Sequence, residues 1–186
     1  SVNSMHDSSM PVSGTMQLLG MMTNAFYGGC GVGILNYYIF IIIAVFISGL
    51  MVGRTPEYMG KKIESREIKL SILAMLISPV GVLVVSAVSI LIPAGSSAIS
   101  AHGPHGLSEI IYGYASATNN NGSAFGGFSA NNNYHNIMMA LTMLFGRFTF
   151  ILAVLGITAL IQPISIEGIR TLDLGVMLGS AILLNV

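Results

Sequence analysis

The sequence predicts an all-α integral membrane protein with a loop that re-enters the bilayer, on three observations. It is 53% hydrophobic and only 8% charged over 186 residues, with a mean hydropathy of +0.79, far above an ordinary water-soluble domain. It holds apolar runs close to the about 20 residues that a helix needs to cross about 30 Å of hydrocarbon. Between two of these runs lies a polar stretch of roughly forty residues, too long for a tight connection. Net charge is zero with no basic face, so binding nucleic acid by phosphate neutralisation has no support. The single cysteine, Cys30, excludes an internal disulfide framework and a four-cysteine metal site. It is left as a small packing residue or a thiol near a pore. The chain opens at Ser1 without a charged leader and ends within an apolar run at 183–186. We therefore expect a fragment of a longer protein.

In chain order, Ser13 to Tyr27 is moderately apolar and compatible with a helix. Gly28-Gly29-Cys30-Gly31-Val32-Gly33 interrupts it, and each glycine costs a helix about 1 kcal/mol relative to alanine. Such an interruption marks an ion path or a moving part in some transporters; in other membrane proteins glycine serves only to bring helices close together. Ile34 to Gly53 is the first span, Leu70 to Pro93 the second, with Pro79 expected to kink it, and Ile137 to Ile161 the third. Leu174 to Val186 resembles the start of another. The connector Arg54 to Lys69 carries Arg54, Lys61, Lys62, Arg66 and Lys69, whereas residues 1–53 and 94–146 have no Lys or Arg. The positive-inside rule places this connector in the cytoplasm and the segment Ala94 to Asn136 outside. The connector reads equally as a solvated helical link or a docking surface for a partner.

Within the outer segment, Ala94-Gly95-Ser96-Ser97 and His102-Gly103-Pro104-His105-Gly106 are turn material. Ser108 is placed to cap a short helix from Glu109 to about Thr118, roughly 15 Å long at about 1.5 Å per residue. The negative end of its dipole would point toward the membrane middle, directly before the oxygen-rich turn Thr118-Asn119-Asn120-Asn121-Gly122. Irregular backbone at membrane depth is tolerated only when buried in protein or lining a wet cavity, and a dehydrated cation needs such carbonyls. The asparagine amides can brace the turn. An exposed turn is the plain alternative, and Asn121-Gly122-Ser123 also matches a glycosylation acceptor. Arg147 lies ten residues into the third span, about 15 Å from its outer end. A cation so deep by default faces protein or water. It would serve either as fixed charge beside a cation path or as a donor to backbone carbonyls of a broken helix.

Several motifs carry a family resemblance. Gly53-Arg54-Thr55-Pro56-Glu57-Tyr58-Met59-Gly60-Lys61-Lys62-Ile63-Glu64, Gly103-Pro104-His105-Gly106-Leu107-Ser108-Glu109 and Asn119-Asn120-Asn121-Gly122-Ser123-Ala124-Phe125 resemble the KdpA family, the potassium-binding subunits of bacterial Kdp potassium-pumping ATPases. Ser1-Val2-Asn3-Ser4-Met5-His6-Asp7-Ser8 and Gly146-Arg147-Phe148 fit the same pattern; Glu64 departs from an expected Asp but keeps its charge.

The resemblance implies the architecture of the superfamily of potassium transporters, four membrane-pore-membrane repeats around one ion path. Residues 1–53 would be the end of the third pore loop and the interrupted second helix of repeat three. Residues 54–69 would be the cytoplasmic connector, 70–161 repeat four, and 162–186 a connector with a truncated C-terminal helix. The potassium filter would be Thr118, Asn119, Asn120, Asn121 and Gly122, with Arg147 as pore-lining charge below it. Gly28, Gly29, Cys30, Gly31 and Gly33 would form an intramembrane gating loop. The resemblance further implies potassium as the transported ion, no cofactor, and a multi-pass location in the bacterial cytoplasmic membrane. Its implied partners are a P-type ATPase subunit, accessory subunits and lipid.

The sequence has no Walker motif and no Asp-Lys-Thr-Gly phosphorylation site, so it is not expected to hydrolyse ATP. A gradient-coupled secondary transporter would need an acid within a span, and none is expected: Glu109 falls where loop meets helix, and Glu167 and Asp173 lie beyond the third span. An intramembrane enzyme built on His6 with Asp7, or on His102 and His105, lacks a suitable constellation, and no transition-metal site is expected. His6, His102, His105 and His135 read as outer-loop residues.

Overall fold

The structure, a computed structural model, describes residues 5–27, 32–58 and 60–161. A 3-10 turn at His6–Ser8 leads into α1 (Pro11–Tyr27), followed by α2 (Val32–Val52), a two-stranded hairpin of β1 (Glu57–Tyr58) and β2 (Lys61–Lys62), and α3 (Ser65–Leu91). Then come the short α4 (Pro93–Ser96), α5 (Pro104–Thr118) and α6 (Asn133–Ile161). Among the described residues, three helices are long and apolar enough to cross a membrane: Val32–Val52, Ser65–Leu91 and Asn133–Ile157. Leu83, Ile137 and Leu152 are each 60% exposed or more, as suits surfaces meant for lipid or further protein. The chain divides into two compact units, residues 1–24 with 76–150 and residues 25–75 with 151–186.

In the second unit the expected connector is largely ordered structure. Gly53, at φ 74°, ends α2; its N–H donates to the Leu50 carbonyl at 3.2 Å, and Arg54 N–H donates to that of Gly49 at 3.0 Å. This is the left-handed cap that glycine adopts without a Cβ penalty. The chain reverses so closely that a Cβ on Gly49 would lie 3.1 Å from Pro56. The antiparallel hairpin pairs Glu57 with Lys62 and Tyr58 with Lys61. The helix that follows begins at Ser65, five residues before the expected span, because Glu67 reaches back to accept the Glu64 N–H at 3.0 Å, half of a capping box. Pro79 sits inside α3 without ending it.

The first unit is organised around α5, which is buried along most of its length. This helix begins at Pro104 rather than Glu109. Gly103, at φ 79°, precedes a proline at the first helical position, where the missing N–H costs nothing. Ser108 is therefore no cap: its hydroxyl donates to the Pro104 carbonyl one turn back at 3.1 Å. At about 1.5 Å per residue the helix is roughly 22 Å long rather than 15. Ala98, Ile110, Tyr114 and Phe128 form its core, with Val85 of α3 and Met138 and Met139 of α6 against them. A Cβ on Gly113 would come within 2.8 Å of the Phe128 ring, so only glycine lets that ring close down.

The start of α6 is fixed by Asn132, whose Oδ1 accepts the His135 N–H at 2.7 Å. His135 is not an outer-loop residue but fully buried. Its Nε2–H donates to the Gly95 carbonyl at 3.0 Å, so its Nδ1 accepts from the Tyr114 hydroxyl at 2.8 Å. Ser89 Oγ donates to Tyr114 at 2.9 Å and lies 3.1 Å from the Tyr134 hydroxyl. This chain satisfies five polar groups and ties α3, α4, α5 and α6 together where unpaired groups would be costly.

Candidate functional site

The turn after α5 is a closed helix end, not a frayed one. Asn121 N–H donates to the Ser116 carbonyl at 2.9 Å and Asn120 N–H to that of Ala117 at 3.0 Å, the two bonds of a Schellman motif. Asn120 takes its left-handed position at φ 55°, and Gly122 follows at φ 84°. Asparagine is the residue besides glycine that visits this region most readily.

Each asparagine side chain is anchored. Asn119 Oδ1 accepts from Ser78 Oγ of α3 at 2.7 Å. Asn120 Nδ2 lies 3.3 Å from the carbonyls of both Thr118 and Met143, the latter in α6. Asn121 Oδ1 accepts the Ser123 N–H at 3.1 Å. The bracing expected from the sequence is therefore present, and it divides the candidate oxygens. The Thr118 carbonyl is engaged, whereas those of Asn119, Asn120, Asn121 and Gly122 accept no hydrogen bond among the described residues. Thr118 Oγ1 is buried with no partner among the described residues. Asn119, Asn121 and Gly122 are exposed and Asn120 is half-buried.

Two glycines absent from the sequence-based site hold this turn in place. A Cβ on Gly81 of α3 would lie 3.2 Å from Thr118 Cγ2, and one on Gly146 of α6 would overlap the Thr118 carbonyl oxygen. Thr118 is thus pinched between two flanking helices at positions without side chains. Arg147, next to Gly146, is half-buried and has neither a carboxylate nor a backbone carbonyl partner among the described residues. Gly28, Gly29, Cys30 and Gly31 of the expected gating loop lie outside the described residues. Gly33 belongs to the first turn of α2, so it is part of the span rather than of the interruption.

A second cluster was missed in the sequence. The sequence offered no suitable constellation around His105, yet Asp7, 98 residues earlier in the chain, places Oδ1 at 3.3 Å from its Nε2. Glu109 was expected at a loop-helix junction; it stands in the second turn of α5, fully buried. Its two oxygens accept from Ser100 N–H at 3.1 Å and Ser100 Oγ at 2.9 Å. Around Phe125, which is also buried, His6, His105 and Tyr112 stack at centroid distances of 5.7, 5.6 and 4.8 Å. Only the i, i+4 spacing of His105 and Glu109 on one helix signalled any of this locally.

A buried helix thus ends between α3 and α6 in a capped turn, four of whose carbonyls accept no hydrogen bond among the described residues. The protein-family model for KdpA, the potassium-transporting ATPase A subunit, matches residues 1–172. The chain belongs to this family. A relative from Rhodospirillum centenum, a potassium-transporting ATPase potassium-binding subunit, is 54% identical over 84% of this chain and 28% of its own length. Subunits of the same description from Pseudomonas aeruginosa and Flavobacterium johnsoniae are 51% and 53% identical, over 84% and 87% of this chain and 28% and 30% of their own lengths. The chain thus spans under a third of the curated relatives it matches. Family membership and the three long apolar helices agree with the all-α membrane fold expected from composition.

Proposed function

We propose that this chain supplies one quarter of a potassium path in an ATP-driven uptake complex, with the backbone from Thr118 to Gly122 as its share of the selectivity filter. The observation that carries this reading is the turn itself. Four successive residues have carbonyls that accept no hydrogen bond among the described residues, while the three asparagine side chains are tied to α3, α5 and α6. A dehydrated cation needs fixed oxygens that cost no reorganisation when it arrives. The carboxyl end of α5 adds the negative pole of a helix dipole to the same place.

On this reading the Arg54–Lys69 hairpin segment faces the cytoplasm, the complex resides in the bacterial cytoplasmic membrane, and a P-type ATPase partner, with accessory subunits, performs hydrolysis. Arg147, without a carboxylate partner among the described residues, places positive charge on α6 one residue from Gly146, the glycine that meets Thr118. That charge limits how long a cation rests below the filter. Gly28, Gly29, Cys30 and Gly31 are assigned to gating on the family resemblance alone.

The test is potassium-dependent ATP hydrolysis by the full-length complex carrying Gly122→Asp. A carboxylate at this left-handed position should raise the potassium concentration for half-maximal activity, or weaken discrimination against sodium, with assembly intact. Unchanged potassium dependence and ion preference would make the turn an ordinary external loop.

A further inference from the structure

We propose that Asp7, His105 and Glu109 form a binding site for a divalent transition-metal ion of the zinc type, separate from the filter turn. One ligand atom from each of the three side chains lies within 4.8 Å of the other two. His105 and Glu109 are one turn apart on the same face of α5, the i, i+4 spacing from which helices present paired metal ligands. Asp7 reaches them from the 3-10 turn that precedes α1.

Two features favour an ion over a simple hydrogen-bonded pair. The Asp7 Oδ1 to His105 Nε2 separation of 3.3 Å is long for a hydrogen bond. For this pair it is close to the edge, about 3.4 Å, of a tetrahedron with metal bonds of about 2.0–2.2 Å; the three ligand atoms together lie within 4.8 Å, so the Glu109 carboxylate would draw in when the ion binds. Glu109 is fully buried, yet among the described residues its oxygens accept only from the neutral donors of Ser100. No Lys or Arg pairs with it or with Asp7 among the described residues. Were both carboxylates ionised beside a neutral imidazole, a divalent ion would balance their two negative charges.

The surroundings are shaped for these groups. Ser100 fixes both oxygens of Glu109, as outer-shell donors fix ligating carboxylates. Gly127 lies so close that a Cβ there would be 2.6 and 2.9 Å from the Asp7 carboxylate oxygens. A bound ion would fasten the segment before α1 to the first half of α5, and so stiffen the helix that ends at Thr118.

Binding is read directly, so the outcome does not depend on where potassium passes. The full-length complex, purified without a polyhistidine tag, is loaded with zinc alone, and bound zinc is counted by elemental analysis beside the His105→Gln and Asp7→Asn complexes. The wild type should retain about one more equivalent than either variant, with at least about ten-fold tighter binding at that site. Equal content and affinity within two-fold in either variant would overturn the proposal. Should both variants fail to assemble, cobalt substitution of the wild type decides. An intense four-coordinate visible spectrum supports the site; only the weak six-coordinate spectrum refutes it.

Discussion

Replacing Gly146 with alanine puts one methyl group where α6 meets the end of α5, and the consequence for ion binding can be worked out from that contact. The added Cβ would fall well inside the 3.0 Å below which real Cβ atoms are essentially never found, with the Thr118 carbonyl oxygen, carbon and Cα all against it. These are backbone atoms, so no rotamer change relieves the clash; α6 and the turn must part by about 1 Å. Overpacking of this kind costs about 1–3 kcal/mol. Part of the displacement falls on Asn120, whose Nδ2 bridges the Thr118 and Met143 carbonyls at 3.3 Å and has no slack to follow both. If 1.4 kcal/mol of this strain reaches the ion site, potassium affinity falls about ten-fold. The assay is the potassium concentration for half-maximal ATP hydrolysis by the full-length complex, with Gly20→Ala as control because nothing lies within 4 Å of that position. Gly146→Ala should shift the curve to higher potassium and Gly20→Ala should leave it in place. A Gly146→Ala complex that assembles and titrates with potassium like the wild type would refute the claim that the Thr118 backbone belongs to the site.

Asn120→Gly keeps the left-handed backbone but deletes the amide bridge, so the turn should survive while potassium preference over sodium declines, measured by the same hydrolysis assay across alkali cations. Tyr114→Phe strips Ser89 and His135 of a shared partner inside the protein, at a cost of about 1–3 kcal/mol. It should lower the temperature at which potassium-stimulated activity is lost, whereas Tyr134→Phe, which removes a hydroxyl that meets Ser89 alone of this pair and keeps the ring against His135, should do so less.

Much of the fold was legible because it is local. The spans were found from runs of apolar residues, and their positions held to within a few residues except at the start of α3, where the charged residues 65–69 looked like connector. That helix begins early because a carboxylate three residues in, Glu67, caps it. The start of α5 was misread for a related reason. Two start signals, Pro104 and Ser108, compete in one short stretch, and the fold uses the proline because Gly103 can turn the chain at positive φ just before it. The turn at Asn119 to Gly122 was recognisable from composition, since asparagine and glycine are the residues that end helices in left-handed conformations.

By itself, then, the sequence determined the membrane setting, the number of spans among the described residues, and the oxygen-rich turn after a short helix, all of which follow from spacing within one stretch of chain. Only the tertiary structure decided which groups meet. It set Gly81 and Gly146 on either side of Thr118, buried His135 against Tyr114 and Gly95, and brought Asp7 to His105 across 98 residues. Periodicity records which face of a helix is apolar, but a glycine that admits a backbone, or a carboxylate that waits for a distant imidazole, looks in sequence like any other until the helices are packed.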